Sequence, residues 1–171
     1  MISILIGVGI VIFGVILDQI VKGIVSANME LHESINVING FFKFTYTKNS
    51  GAAFSLFEGN MPFLIVVTII AFGVFIYLFK DVDFKKNKLY SFGLSMMVSG
   101  TIGNFIDRVR FHKVVDMFDF IIFGYDFPVF NIADILLTVG ITLFAIEILF
   151  FCKKGENDDE GIDDDLDRRE E

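Results

Sequence analysis

The sequence predicts an all-α polytopic membrane protein, with four transmembrane helices and a small extracellular β-sheet. Three observations carry this. More than half of the 171 residues are apolar (54%), 22 of them phenylalanine, an apolar load that a water-soluble domain of this length rarely carries. Four segments are long and apolar enough to cross a hydrocarbon core of roughly 30 Å, which takes about 20 helical residues. The ionisable and amide side chains inside the first, third and fourth of those segments gather towards one end of each, Glu147 apart.

The spans are expected at about 2–25, 62–79, 89–109 and 129–152, within a single membrane domain of residues 1–154. The first resembles a secretory signal peptide, with Val25-Ser26-Ala27 as a cleavage-like site. It lacks a preceding Lys or Arg, however, and its apolar run is long, so an uncleaved span is the better reading. Pro62 suits the first turn of the second span. Gly93, Gly100 and Gly103, alternating with Ser91, Ser95 and Ser99, suit close helix approach in the third. A beta-rich extracellular segment is expected at about 31–58. Phe42 to Thr47 alternates apolar with polar or amphipathic residues, and Asn39-Gly40 is a hairpin-turn signal. Such a sheet would rest on the outer mouth of the helices and clamp whatever binds there.

Charge orients the chain. The loop Lys80 to Lys88 carries four lysines, and Lys153-Lys154 follows the fourth span. The positive-inside rule makes that side, and both termini, cytoplasmic. The net charge of −8 belongs entirely to residues 155–171, where ten acids face two arginines. The remaining chain balances at twelve acids and twelve bases. The tail therefore reads as a disordered cytoplasmic appendage. No basic stripe supports nucleic-acid binding. A lone Cys152 and isolated His32 and His112 offer neither a disulfide nor a metal-ligand spacing. No cofactor or metal is expected.

On this topology Asp18 and Lys22, then Asn49, then Asn104, Asp107 and Arg108, then Asn131 and Asp134 all fall at the outer face. Ionisable groups within membrane segments are costly and default to a functional role. Asp18 and Lys22 are four residues apart on one helical face, as an ion pair or brace. Arg108 is suited either to pair with Asp107 or to orient a neighbouring carboxylate. Asp116 interrupts an apolar run, with Asp119 three residues on. Asp134 is either a helix-start acid favoured by the macrodipole or a functional group, and it lies further in than a cap requires. Two carboxylates sharing a proton can activate water and polarise a carbonyl. On residues alone, an aspartyl hydrolase ranks only slightly above a transporter or proton relay. A Ser26–Lys22 protease and a non-catalytic scaffold are weaker alternatives.

Five blocks in order tip that balance: Asp18-Gln19-x-x-Lys22, Asn49-Ser50-Gly51-Ala52-Ala53-Phe54, Gly103-Asn104-x-x-Asp107-Arg108, Val114-Val115-Asp116, and Phe130-Asn131-x-Ala133-Asp134. Together they resemble the signature of bacterial lipoprotein signal peptidase, signal peptidase II, over roughly residues 1–152. Ser99-Gly100 is a mild departure, since many relatives carry paired glycines there, and the acidic tail lies outside the pattern. The resemblance implies an intramembrane aspartyl endopeptidase of the bacterial cytoplasmic (inner) membrane, with its active site near the outer leaflet. It would remove signal peptides from diacylglyceryl prolipoproteins before the lipidated cysteine. It implies Asp116 and Asp134 as the catalytic dyad, and Asn104, Arg108 and Asn131 as orienting groups. Asp18, Lys22, Asn49 and Asp107 would support the pocket. Membrane lipid and globomycin-type inhibitors are the other implied partners.

Overall fold

The computed structural model describes residues 1–51 and 59–151. Ala52-Ala53-Phe54 of the second block, Cys152 and the acidic tail lie outside the described residues. Four helices, α1 (Ile2–Asn28), α2 (Met61–Phe79), α3 (Lys88–Phe111) and α4 (Ile132–Phe150), are joined to strands β1 (Ser34–Ile38), β2 (Phe42–Asn49), β3 (Val114–Ile122) and β4 (Tyr125–Asp126).

Three of the helices, α1, α2 and α4, are long and apolar enough to cross a membrane. They expose apolar side chains such as Leu5, Phe13, Ile70, Ile76 and Leu149. Helices apolar all round belong in lipid or in a large core, and this chain is too small for the latter. The fourth expected span, α3, is not among them: it carries Ser91, Ser95, Ser99, Asn104 and Asp107, all of which it buries. It is the central post, packed against all three other helices. A helix shielded by its neighbours is free to be polar.

Small residues set how closely α3 and α4 approach. A Cβ on Gly93 would come 2.7 Å from the Gly140 carbonyl oxygen, and one on Gly140 would come 2.7 Å from that of Gly93. Gly100 meets the Ala133 carbonyl oxygen in the same way. Ser99, the departure noted above, has a role here: its hydroxyl donates to the Val11 carbonyl at 3.2 Å and ties α3 to α1. Gly140→Val is accordingly expected to destabilise the protein by about 1–3 kcal/mol. Thermal unfolding in detergent measures this, and an unchanged midpoint would contradict the packing argument.

The strands form one antiparallel sheet in the order β1-β2-β3-β4. Asn39-Gly40 lies in the turn between β1 and β2, with Gly40 at φ +72°. His32 and His112 both adopt positive φ, and His112 closes α3 in the left-handed conformation. The beta-rich segment at 31–58 accounts for β1 and β2 alone. Half of the sheet comes from 114–126, where no strand was expected. Asp119 holds the register, accepting from Thr45 Oγ1 at 2.6 Å and pairing with Lys43 at 3.3 Å. Phe42 stacks on Phe120 with centroids 4.5 Å apart. The sheet rests on the end of α1 through Val25, Tyr46, Val115 and Met117.

The fourth helix starts later than the expected 129. Phe130 is extended and bridges Phe118 of β3, its carbonyl accepting from the Met117 and Phe118 amides at 3.0 and 2.8 Å. Residues spent on that pairing cannot enter a helix, so Asn131 is the cap and Ile132 the first helical residue.

Candidate active site

Chain geometry brings the polar residues together from four directions. The left-handed turn at His112 folds the chain from α3 straight into β3. Antiparallel register sets Thr47 against Asp116 and Asn49 against Val114. On the opposite edge of β3, the Phe130 bridge sets Asn131 beside Asp116. Helix α1 stands behind, presenting Asp18 and Lys22. Asp116 and Asp119, three apart on a strand, face opposite sides, which explains why one joins the site and the other braces the sheet.

Lys22 is the hub. Its Nζ lies 2.9 Å from Asp18 Oδ2, 3.1 Å from Asp107 Oδ2 and 2.9 Å from Asn104 Oδ1, so all three ammonium protons have acceptors. The ion pair expected within α1 is therefore present, but Asp107 pairs with Lys22 and not with Arg108. Every carboxylate oxygen behind the site is satisfied. Asp18 Oδ1 accepts from the Ala133 amide at 2.9 Å, and Asp107 Oδ2 from the Val115 amide at 3.1 Å. Gln19 Nε2 lies 3.1 Å from both Asp18 Oδ2 and Asp107 Oδ1. Gln19 belongs to the first sequence block, yet its bridging role was missed, because an uncharged amide on a helix carries no signal beyond its neighbours. Gly103 leaves room for this arrangement: a Cβ there would lie 2.6 Å from Asp18 Oδ2.

The lysine also orients the amides. Because Lys22 can only donate, the Asn104 atom facing it must be the oxygen. Asn104 Nδ2 then donates to Asp134 Oδ1 at 2.8 Å. Asn131 is fixed likewise: its Oδ1 accepts from the Asp134 amide at 3.0 Å, so its Nδ2 donates to Asn104 Oδ1 at 3.1 Å and to Asp116 Oδ1 at 2.6 Å. Asn49 also hydrogen-bonds Asp116. Asp134 combines both sequence readings. One oxygen closes a capping box with the Asn131 amide at 3.1 Å, and the other faces Asn104. A carboxylate has about four acceptor sites, so each aspartate retains capacity beyond these bonds.

Arg108 forms no ion pair within 4 Å among the described residues, and its buried Nε has no hydrogen-bond partner. Its charge acts on Asp134 and Asp116 across the pocket. Asp116 is pushed up to about 7 by burial first and then by the negative charge of Asp134, against the opposing hydrogen bonds from Asn131 and Asn49. Both aspartates, with Asn49, Asn104 and Arg108, line one cavity of about 790 Å³, within the range of ligand-binding sites. Ile135 and Val139 also line it while exposed on the outer surface of α4, so the cavity opens sideways from the bundle. No group of three or more His, Cys, Asp or Glu suited to a metal ion occurs among the described residues.

Fold and site together define a helical membrane protein with a carboxylate-bearing pocket between its helices and a capping sheet. The family model described as signal peptidase (SPase) II matches residues 10–150. A lipoprotein signal peptidase of Staphylococcus aureus (strain bovine RF122 / ET3-1) is 43% identical over 140 residues, covering 82% of this chain and 85% of that protein. The lipoprotein signal peptidase of strain MRSA252 is equally similar. A solved structure described as a bacterial membrane enzyme, determined by the in meso method at 2.3 Å, superposes with a TM-score of 0.77 at 42% identity. It covers 84% of this chain and 87% of its own. A second, at 1.9 Å, gives 0.75 at 41% identity, covering 85% and 93%. The chain belongs to the signal peptidase II family.

Proposed function

We propose that this protein is a lipoprotein signal peptidase, an intramembrane aspartyl endopeptidase that cleaves diacylglyceryl prolipoproteins before the lipidated cysteine. The observation that carries this reading is the pairing of Asp116 and Asp134 at one cavity, held by Asn131 and Asn104 in a common hydrogen-bond network. One carboxylate takes a proton from water as the water attacks the scissile carbonyl, while the other, protonated, donates to the carbonyl oxygen. Burial and the charge of Asp134 favour Asp116 as the protonated partner below about pH 7. Arg108 lines the cavity, and its charge offsets that of the dyad. Asp18, Lys22, Gln19 and Asp107 hold the network from behind, and Asn49 steadies Asp116.

The topology proposed with this activity has α3 crossing alongside the three apolar helices. Both termini are then cytoplasmic, and the dyad lies near the outer leaflet. A signal helix and diacylglyceryl group arriving within the bilayer would enter by the lateral opening beside Ile135 and Val139. Globomycin-type cyclic peptides are expected to compete for the same cavity.

The test is cleavage of a diacylglyceryl prolipoprotein by the reconstituted protein, beside the same substrate with its cysteine replaced by serine and hence unlipidated. Cleavage of the first alone, at the bond preceding the cysteine, is expected. Equal cleavage of both would remove the lipid-dependent part of the proposal, and cleavage of neither would remove all of it. The pH dependence follows from the raised Asp116. Below about 7 its proton is present, and above that it is lost, leaving two carboxylates and no acid. Activity is therefore expected to fall with a basic limb near pH 7. A flat kcat/KM between pH 6 and 9 would contradict that assignment.

A further inference from the structure

On the far side of the bundle from the dyad, α1 and α2 both pack on α3 but share no extended interface with each other. Between them runs a groove of about 400 Å³. Its walls are Ile4 and Val8 of α1 and Phe72 and Ile76 of α2, and its floor is Val98 of α3. The Phe79 ring packs over Gly7 and narrows one end, where the Ser3 hydroxyl donates to Asp83 at 3.3 Å. Lys80 stands at that end and is the one charged residue of the lining. Its Nζ lies 4.0 Å from the Tyr77 ring centroid, and no carboxylate is within ion-pairing distance of it among the described residues.

We propose that this groove holds an acyl chain of one anionic glycerophospholipid, with the lipid phosphate at Lys80. The inference is independent of the activity proposed above. In a bilayer an apolar slot beside two spanning helices is not filled by water, and only lipid or another helix is available to it. A lipid is favoured over a further helix by charge: the slot ends at Lys80, which has no carboxylate within ion-pairing distance among the described residues, and a phosphate complements that cation where an apolar helix does not. The unpaired lysine at the end selects the headgroup, because anionic phosphate gains from a juxtamembrane cation. Asp83, held by Ser3 and the Lys85 amide, keeps its negative charge, and the headgroup preference set by Lys80 is exerted against it.

Native mass spectrometry of the delipidated full chain, titrated with dioleoyl phosphatidylglycerol or dioleoyl phosphatidylcholine, tests this. One phosphatidylglycerol is expected to bind at least about fivefold more tightly than phosphatidylcholine. Lys80→Ala should abolish that preference, while Lys85→Ala with Lys86→Ala should leave it. Ile76→Trp, on the exposed wall, should weaken both lipids by narrowing the slot. Equal binding of the two lipids, a preference that survives Lys80→Ala, or one lost with Lys85 and Lys86 would each overturn the proposal. So would a second copy of the chain occupying the groove.

Discussion

Replacing either Asp116 or Asp134 by asparagine is expected to lower turnover of a diacylglyceryl prolipoprotein by about 10²–10⁴-fold, the usual worth of a positioned acid or base. Asparagine preserves size and can still accept from Asn131 or Asn104, so insertion and folding should be retained. What it loses is the ability to bind and release a proton. The two single variants and the double variant should be nearly equally impaired, because residues that act as a unit are not additive. The measurement is the initial rate of peptide release from reconstituted protein, with membrane insertion checked by protease protection. The dyad assignment would be falsified if either correctly inserted variant cleaved at the wild-type rate. A transporter or proton relay built on the same acids predicts substrate-independent proton flux in place of cleavage, which the same vesicles can report.

Lys22→Met should have the largest effect on stability, about 3–5 kcal/mol, the cost typical of removing one partner from a buried ion pair. Here one ammonium serves Asp18, Asp107 and Asn104 at 2.9–3.1 Å, and it is 3% exposed. Its loss leaves two buried carboxylates dependent on Gln19 and two backbone amides. Asn104 also loses one of the two donors to its Oδ1, leaving Asn131 alone to hold the amide that serves Asp134. Both thermal stability and turnover should therefore fall. Adding Asp18→Asn to Lys22→Met should recover part of the stability, because one buried charge is removed with its partner. No recovery in the double variant would mean that Lys22 acts through packing and not through charge.

The structure explains why some features were legible in the sequence and others were not. Hydropathy marks α1, α2 and α4, because lipid imposes an apolar surface on each helix independently of its neighbours. Asn39-Gly40 marks a turn, because only a few residues tolerate its positive φ. By contrast, β3 looks like a mere apolar run with two acids. Its strand character depends on hydrogen bonds to β2, some 70 residues earlier, and to Phe130. The early start expected for α4 fails for the same reason: the pairing that holds Phe130 extended is tertiary. Arg108 sits one residue from Asp107 and four from Asn104, which made local pairing with Asp107 a fair expectation. Lys22, remote in sequence, takes Asp107 instead and leaves the guanidinium to the cavity.

By itself the sequence determined that the chain is a membrane protein, that polar residues lie near the ends of its apolar segments, and which family it belongs to. Those properties follow from local composition and ordered motifs. Only the tertiary structure decided that a lysine on α1 orients the amide of Asn104 on α3, and that Asn104 in turn addresses Asp134 on α4. It also decided that Asp116 reaches the same network from a strand. The physical reason is that hydrogen bonds have direction as well as range. Residue identities state which groups can donate and accept, but the packing of α1, α3, α4 and β3 determines which of them meet.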